Sequence, residues 1–180
     1  AGDHGGEINI FGTQQVALLD ANLSASGRNG GGTLRLGGDY QGRATAPTAQ
    51  RAYIDYRSIL ATDALDQGNG DQVYIWSETS TQFYGHISTR GGARAGDGGF
   101  IELSSKLGLT HEGRLSQEAP QGNPGTVLFD PRNIIIRSGA GTGTNDAELP
   151  TILGSTPPTT GDFIVYENTL ETLTSDIVLQ

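Results

Sequence analysis

The chain contains 180 residues and carries a formal net charge of −9, with 28 glycines and no cysteine or methionine. The absence of cysteine excludes disulfides, thiolate metal sites and cysteine nucleophiles. The excess of acidic residues argues against nucleic acids and anionic membrane surfaces as partners, because both require clustered Lys and Arg. No apolar run approaches the roughly 18 residues of a membrane span, and no signal peptide is evident at the start of the sequence.

A short pattern that begins with a turn and continues as an alternating strand recurs along the chain. Each copy starts with a pair of small residues, such as Gly98-Gly99, and two apolar residues separated by one variable position follow. The shorter steps between copies are about 27 residues, which is too short for a propeller blade and lacks the helical spacing of ankyrin units. The first apolar positions are Ile8, Leu34, Val73, Ile101, Val127 and Ile164, and the second are Ile10, Leu36, Ile75, Leu103, Phe129 and Tyr166.

Each repeat contains two further strand-like pieces, which lie at 16–19 and 23–25 in the first repeat. Three short strands per repeat, with glycine or Asn/Asp corners, are typical of a right-handed parallel β-helix. We therefore predict an all-β fold, in which residues 1–180 form a single β-helix (solenoid) segment of six coils. The other second pieces are 53–56, 83–84, 107–110, 134–136 and 170–173, and the other third pieces are 59–61, 87–89, 115–116, 149–153 and 177–179.

Two of the repeats contain inserted segments, at about 39–52 and at 138–160. Their content of Gly, Thr and Pro is typical of loops. We interpret both segments as surface excursions from the coils. The alternative that they carry function stays open, because loops often hold binding residues.

Six motifs occur in order between residues 31 and 136. They are Leu36–Gly42, Tyr74–Trp76, Phe83–Gly85, Gly91-Gly92, Gly96–Ser104 with Lys106, and Gly125–Ile134. As an ordered set, they resemble the filamentous-haemagglutinin-type large exoproteins of bacteria. The resemblance implies a β-helix that a two-partner system secretes through an outer-membrane transporter to the surface of a Gram-negative-type bacterium. It implies no catalytic residue, and because the family's N-terminal secretion module is not evident, it implies a middle or late part of such a protein.

Catalytic constellations are weak in this sequence, and we predict that the protein is not an enzyme. The histidines His4, His86 and His111 lie in no nucleophile motif, and we expect each of them to face solvent on a strand or turn. Glycosidases use a pair of carboxylates, and Glu102 and Asp130 are the candidate pair on neighbouring coils. However, no dense group of acidic residues with a supporting arginine recurs on adjacent coils.

Two turn segments, Asn69-Gly70-Asp71 and Gly96-Asp97-Gly98, partly match the glycine- and aspartate-rich repeats of calcium β-rolls. Those sites need tandem short copies whose oxygens meet around one ion, and here the copies lie far apart. We therefore interpret these aspartates as turn residues that bond their own backbone. We predict no metal site and no cofactor.

The outward positions of the first strands become apolar after the second repeat. A contiguous apolar strip on a surface usually marks a contact. Three interpretations remain open: the inserted loops cover the strip, another chain or domain packs on it, or its aromatic rings stack on sugars. The residues of this candidate contact surface are Tyr74, Trp76, Phe100, Leu128, Phe163 and Val165.

The two ends of the chain and the repeats together suggest a structural role. Residues 1–7 contain nothing that would cap a solenoid, and residues 176–180 read as a strand. We expect flanking coils of the same protein, or end-to-end copies in a filament, as partners, with glycans or a host or neighbouring cell surface as further candidates. The predicted function is the non-catalytic shaft of a secreted adhesin or extracellular filament. A carbohydrate-binding surface is the main alternative, and a polysaccharide-degrading enzyme is a weaker one.

Overall fold

The chain folds as an all-β, parallel β-solenoid. The residues that the computed structural model describes are 2–43, 45–131, 133–137, 162–166 and 176–179, with side chains described up to residue 130. Within these residues, the only helical element is a 3-10 turn at Tyr40–Gly42. None of the described residues forms a helix of the length and apolarity that crossing a membrane would need.

Three parallel sheets form the sides of the solenoid, which confirms three strands per coil. The first sheet contains β1 (Glu7–Ile10), β4 (Thr33–Leu36), β7 (Gln72–Ile75), β10 (Phe100–Ser105), β13 (Thr126–Pro131) and β16 (Asp176–Leu179). The second sheet contains β2 (Gln15–Leu18), β5 (Arg51–Ile54), β8 (Ser80–Phe83) and β11 (Gly108–His111). The third sheet contains β3 (Asn22–Ser24), β6 (Ile59–Ala61), β9 (His86–Ser88) and β12 (Arg114–Ser116). A separate pair joins β14 (Asn133–Arg137) to β15 (Asp162–Tyr166).

These strands make about four complete turns, fewer than the six coils that the sequence predicts. We number them coil one (β1–β3), coil two (β4–β6), coil three (β7–β9) and coil four (β10–β12). Strand β13 begins the next turn beside β10. Parallel strands lie about 4.8 Å apart, so each coil advances the solenoid by that distance.

The core is built from columns of apolar side chains in register. In the first sheet, Ile8, Leu34, Val73, Ile101 and Val127 lie beside one another on consecutive strands. The last four of these side chains are completely buried. Because successive residues of a strand point to opposite faces, the alternating pattern sends these residues inward and their neighbours outward. Both predicted columns of the first sheet are confirmed over their first five positions.

The sixth repeat differs from the prediction. Ile164 and Tyr166 do not continue the columns, because they belong to β15 in the separate two-stranded sheet. Instead, β16 follows β13 in the first sheet, where Ile177 lies beside Val127. The sequence pattern had assigned 177–179 to a third strand. Both segments alternate apolar residues, and such a local pattern does not specify which strand each one pairs with.

A column of small residues forms the corner between the third and first sheets. At this corner, the backbones of neighbouring coils approach too closely for a side chain. A Cβ atom on Gly98 would lie 2.0 Å from the Gln117 carbonyl oxygen and 2.3 Å from the Gly125 nitrogen. We call the column of Gly31, Gly70, Gly98 and Gly125 the glycine corner.

Candidate functional site

A long connection between β4 and β5, residues 37–50, lies across the outward face of the first sheet. We call it the covering loop; it includes most of the insertion expected at 39–52, whose last two residues begin β5. Its 3-10 turn starts at Asp39, whose carboxylate accepts a hydrogen bond of 2.7 Å from the Tyr40 nitrogen. Gln41 and Gly42 then both adopt positive φ angles, of 50° and 63°. This conformation turns the loop back onto the sheet.

The indole ring of Trp76 lies beneath the covering loop. Only 4% of this residue is exposed. The loop glycines fit closely against the ring, since a Cβ on Gly42 would come within 2.4 Å of it. The Lys106 ammonium lies 5.3 Å from the ring centroid and 2.6 Å from a carboxylate oxygen of Glu78. Close contact with the loop glycines and a cation–π interaction with Lys106 therefore hold the buried Trp76 ring beneath the loop.

Three aromatic rings, Tyr40, Tyr74 and Phe100, form an aromatic cluster at the edge of the loop. Their centroids lie between 5.7 and 6.0 Å apart, with tilted or edge-on geometry. The Arg35 guanidinium lies 5.8 Å from the Tyr74 ring and 3.0 Å from an oxygen of Asp39. Burial raises the pKa of Tyr74 to about 12. Tyr40 remains 38% exposed and forms the outer surface of the cluster.

A buried carboxylate fastens the tip of the covering loop. Glu102 on β10 is completely buried, and its two oxygens accept hydrogen bonds of 3.0 and 3.1 Å from the Gln41 backbone nitrogen. The Ser104 hydroxyl donates a third hydrogen bond at 2.6 Å. The pKa of Glu102 is raised to about 7, mainly by burial and to a smaller extent by the nearby carboxylates of Asp130 and Asp39, while the hydrogen bonds from Ser104 and Gln41 oppose the shift.

The two candidate carboxylates, Glu102 and Asp130, are close enough for the charge of Asp130 to raise the pKa of Glu102. Burial also raises the pKa of Asp130, and the charge of Arg43 lowers it. Glycoside hydrolysis needs both carboxyl groups at an accessible sugar. Here the loop backbone occupies the oxygens of Glu102, so in this arrangement the carboxylate holds the loop instead of facing solvent.

The predicted contact surface is largely covered in the structure. Tyr74, Trp76 and Leu128 are buried, with 8%, 4% and 1% of each residue exposed, whereas Phe100 is only partly buried. The covering loop accounts for the burial of Tyr74 and Trp76, as the first of the three interpretations expects. A partner would reach these two rings only after the loop moves.

The other two residues of the predicted surface lie elsewhere. Phe163 and Val165 belong to β15, where their backbones pair with Ile134 and Ile136. They therefore do not continue the outward face of the first sheet, and their side chains lie outside the described residues. They were predicted to belong to the contact surface because the sequence pattern places the 162–166 segment in the first sheet.

The expectation that all three histidines face solvent is wrong for His111. This residue ends β11 at the inward position beside Phe83, and its ring lies 5.8 Å from the Phe83 ring and 5.4 Å from the Phe129 ring. Its Nδ1 atom is buried and has no hydrogen-bond partner in the described part of the chain. Burial lowers the pKa of His111 to about 4, which keeps the ring neutral. His86 is partly buried, with Nε2 3.1 Å from the Ser116 hydroxyl, and His4 is exposed.

The turn residues considered for calcium instead join neighbouring coils. The Asp97 nitrogen donates to the side-chain oxygen of Asn69, and the Asn123 nitrogen donates to the carboxylate of Asp97. The expected bonds to their own turns are thus replaced by bonds to the adjacent coil. Across the described residues, no three His, Asp or Glu side chains gather as a metal site would require.

A polar groove of about 580 Å³ follows the glycine corner, beside Phe100 of the aromatic cluster. Sequence reasoning did not find this groove, although the column of small residues marks the corner along which it lies. No family model matches the sequence, and no curated protein matches it.

Proposed function

We propose that this protein is a structural shaft, as part of a secreted bacterial surface exoprotein or of an extracellular filament. The observation that supports this most directly is the unbroken register of the first sheet. Corresponding residues lie side by side from β1 to β13, and the second and third sheets run parallel beside it. Continuous ladders of backbone hydrogen bonds along one axis give a stiff element whose length grows with coil number.

The proposal includes finer features that the sequence predicts. We propose that the winding is right-handed, since parallel strands joined by crossovers almost always have that hand. Secretion through an outer-membrane transporter of a Gram-negative-type bacterium rests on the resemblance to haemagglutinin-type exoproteins.

The partners of the shaft are further coils, either of the same protein or of end-to-end copies. In coil one, the inward residues Ile8, Ile10 and Leu23 are only partly buried, although their counterparts in coil two are completely buried. The β1–β3 strands also have free edges in the described structure. Another coil stacked on coil one would bury these inward residues and pair the free strand edges.

Electron microscopy of the native source material tests this function. We expect rods or filaments, whose fibre diffraction has a repeat of about 4.8 Å along the axis. An antibody against this chain should label the rods along their length. Labelling of compact particles alone, with no rods, would contradict a shaft.

A catalytic function is tested separately by incubating the protein with polysaccharides. The shaft proposal expects no new reducing ends and no unsaturated products. Release of either, lost on Glu102→Gln substitution, would instead support the polysaccharide-degrading alternative.

A further inference from the structure

The groove along the glycine corner has a floor of backbone and walls of polar side chains. Gly31, Gly70, Gly98 and Gly125 lie on its floor, where no side chain projects. The groove extends from His4 in coil one to the beginning of β13. Four coil intervals of about 4.8 Å give it a length of roughly 19 Å. It is therefore long, narrow and parallel to the solenoid axis.

The floor of the groove cannot pair with another β-strand. Its amide groups already donate to the neighbouring coil, since Gly31 bonds the Asn69 carbonyl and Gly70 bonds the Asp97 carbonyl, at 3.0 and 2.9 Å. Gly98 bonds the next coil in the same way, at 2.9 Å. A ligand in the groove must therefore be recognised by side chains, which excludes an added peptide strand held by its backbone.

The walls offer hydrogen-bonding groups that no protein group uses. Asp71 lines the groove, and its carboxylate makes no hydrogen bond or ion pair among the described residues. Gln72 accepts a bond of 2.8 Å from the Tyr74 hydroxyl, and its NH2 group has no partner in the described part of the chain. Burial raises the pKa of Asp71, so this carboxyl is partly withdrawn from water.

One apolar surface completes the groove. Phe100 lines it, and contacts with Tyr40 and Tyr74 at 6.0 Å fix the position of the ring. An aromatic ring next to amide and carboxylate groups suits a pyranose, which has an apolar C–H face and a rim of hydroxyls. The spacing of the coils is also close to the length of one pyranose in an extended chain.

We propose that this groove binds a linear, neutral polysaccharide that lies along the solenoid axis. Successive sugars occupy successive coils, with one sugar on Phe100 and its neighbour within reach of Asp71 and Gln72. The acidic net charge of the chain and the carboxylate in the groove disfavour acidic polymers. Binding of this kind goes beyond a mechanical shaft, which requires no ligand along its side.

Calorimetric titration with hexasaccharides tests the proposal. The probes are β-1,4-linked glucose, xylose and mannose hexamers, with polygalacturonate as the acidic comparison. We expect at least one neutral hexamer to bind, and polygalacturonate to bind more weakly. Phe100→Leu should lower the affinity about tenfold because the flat ring is lost, while Phe100→Tyr should keep it.

Two further variants separate binding from folding. Asp71→Ala removes a partly buried carboxylate that makes no hydrogen bond or ion pair among the described residues, so the melting temperature should stay close to that of the wild type while the affinity falls. Tyr56→Ala removes an exposed aromatic ring outside the groove and should change neither quantity. Equal loss of affinity in Tyr56→Ala, or no binding of any neutral hexamer, would overturn the groove assignment. The rods expected of a shaft are observed independently of either result.

Discussion

Glu102 is completely buried and His111 is partly buried with a buried Nδ1 atom, and both side chains resist carrying charge. Glu102 lies beneath the covering loop on the outward side of the first sheet, and His111 lies in the core between two phenylalanine rings. Burial raises the pKa of the acid and lowers the pKa of the base. Their effects on stability therefore have opposite dependence on pH.

Stability should fall with rising pH because of Glu102. The unfolded chain releases this proton near pH 4.5, whereas the folded protein keeps it until about pH 7. Between these values the folded state binds more protons, so up to about 3 kcal/mol of stability is lost as the pH rises. Urea unfolding at pH 4.5, 6 and 8 measures this contribution as the free energy of unfolding of the wild type minus that of Glu102→Gln, which should decrease as the pH rises. The comparison with the variant is needed because His111 opposes the slope of the wild type below pH 6.5. An unchanged slope in the variant would contradict the assignment.

His111 should produce the reverse dependence at lower pH. The unfolded chain takes up this proton near pH 6.5, while the folded protein resists it until about pH 4. His111 should therefore remove up to about 3 kcal/mol of stability as the pH falls through this window, against the opposite effect of Glu102. His111→Leu keeps an apolar side chain in the column, so its free energy of unfolding minus that of the wild type should rise as the pH falls from 6.5 to 4. Leu19→Ala, at an exposed and uncharged position, is the control, and its difference from the wild type should not change with pH.

Neither residue could be assigned from the sequence. Alternation placed Glu102 on the outward face correctly, but it could not show that a segment from coil two covers it. His111 was expected in solvent because a histidine is polar and this one lies in no catalytic motif. The alternation of β11, in which Leu109 and His111 share a face, places its ring on the inward side instead.

The covering loop is the element that sequence reasoning specified least. Its composition identified an excursion, but docking depends on contacts between residues that are distant in the chain, such as Gln41 and Glu102. The strands of the first sheet, by contrast, were predictable over five repeats because two apolar columns define both their face and their register. The prediction for the sixth repeat was wrong because two segments, β15 and β16, alternate apolar residues in the same way.

Gly42 should be essential to the docked loop. Its φ of 63° disfavours a side chain, and a Cβ would collide with Trp76. Gly42→Ala should therefore destabilise the protein by about 1–3 kcal/mol and increase solvent quenching of the single tryptophan's fluorescence. Gly6→Ala is the matched control, because no atom lies within 4 Å of the added Cβ. Equal stability of the two variants would show that the loop does not depend on this conformation.

At the scale of the whole molecule, the solenoid is a stack in which each coil contacts its neighbours. Stability in such a stack is approximately a sum of coil and interface contributions. The periodicity of the sequence was sufficient to predict this architecture, because every repeat presents the same alternation and the same small-residue corner. The sequence overestimates the number of complete turns because its last repeat predicts β15 in the first sheet, where the structure has β16.

Hydrogen exchange should divide the molecule into two regions. Coil one has free edges and partly exposed inward residues, so the amides of β1–β3 should exchange fastest. Coils two to four are joined by the covering loop and should exchange together at a slower rate. Mass spectrometry of peptic fragments measures both rates. Gly42→Ala should accelerate exchange in coils two to four only, and uniform acceleration would contradict the division.

The bond between Gln41 and Glu102 spans from coil two to coil four and passes over coil three. The covering loop therefore reaches across one intervening coil. Adding or removing a repeat between these two coils would displace the carboxylate by about 4.8 Å and break both hydrogen bonds. Repeats gained or lost on either side of this span leave the bond intact. The solenoid can therefore vary in length during evolution, but the count of coils beneath the loop is fixed.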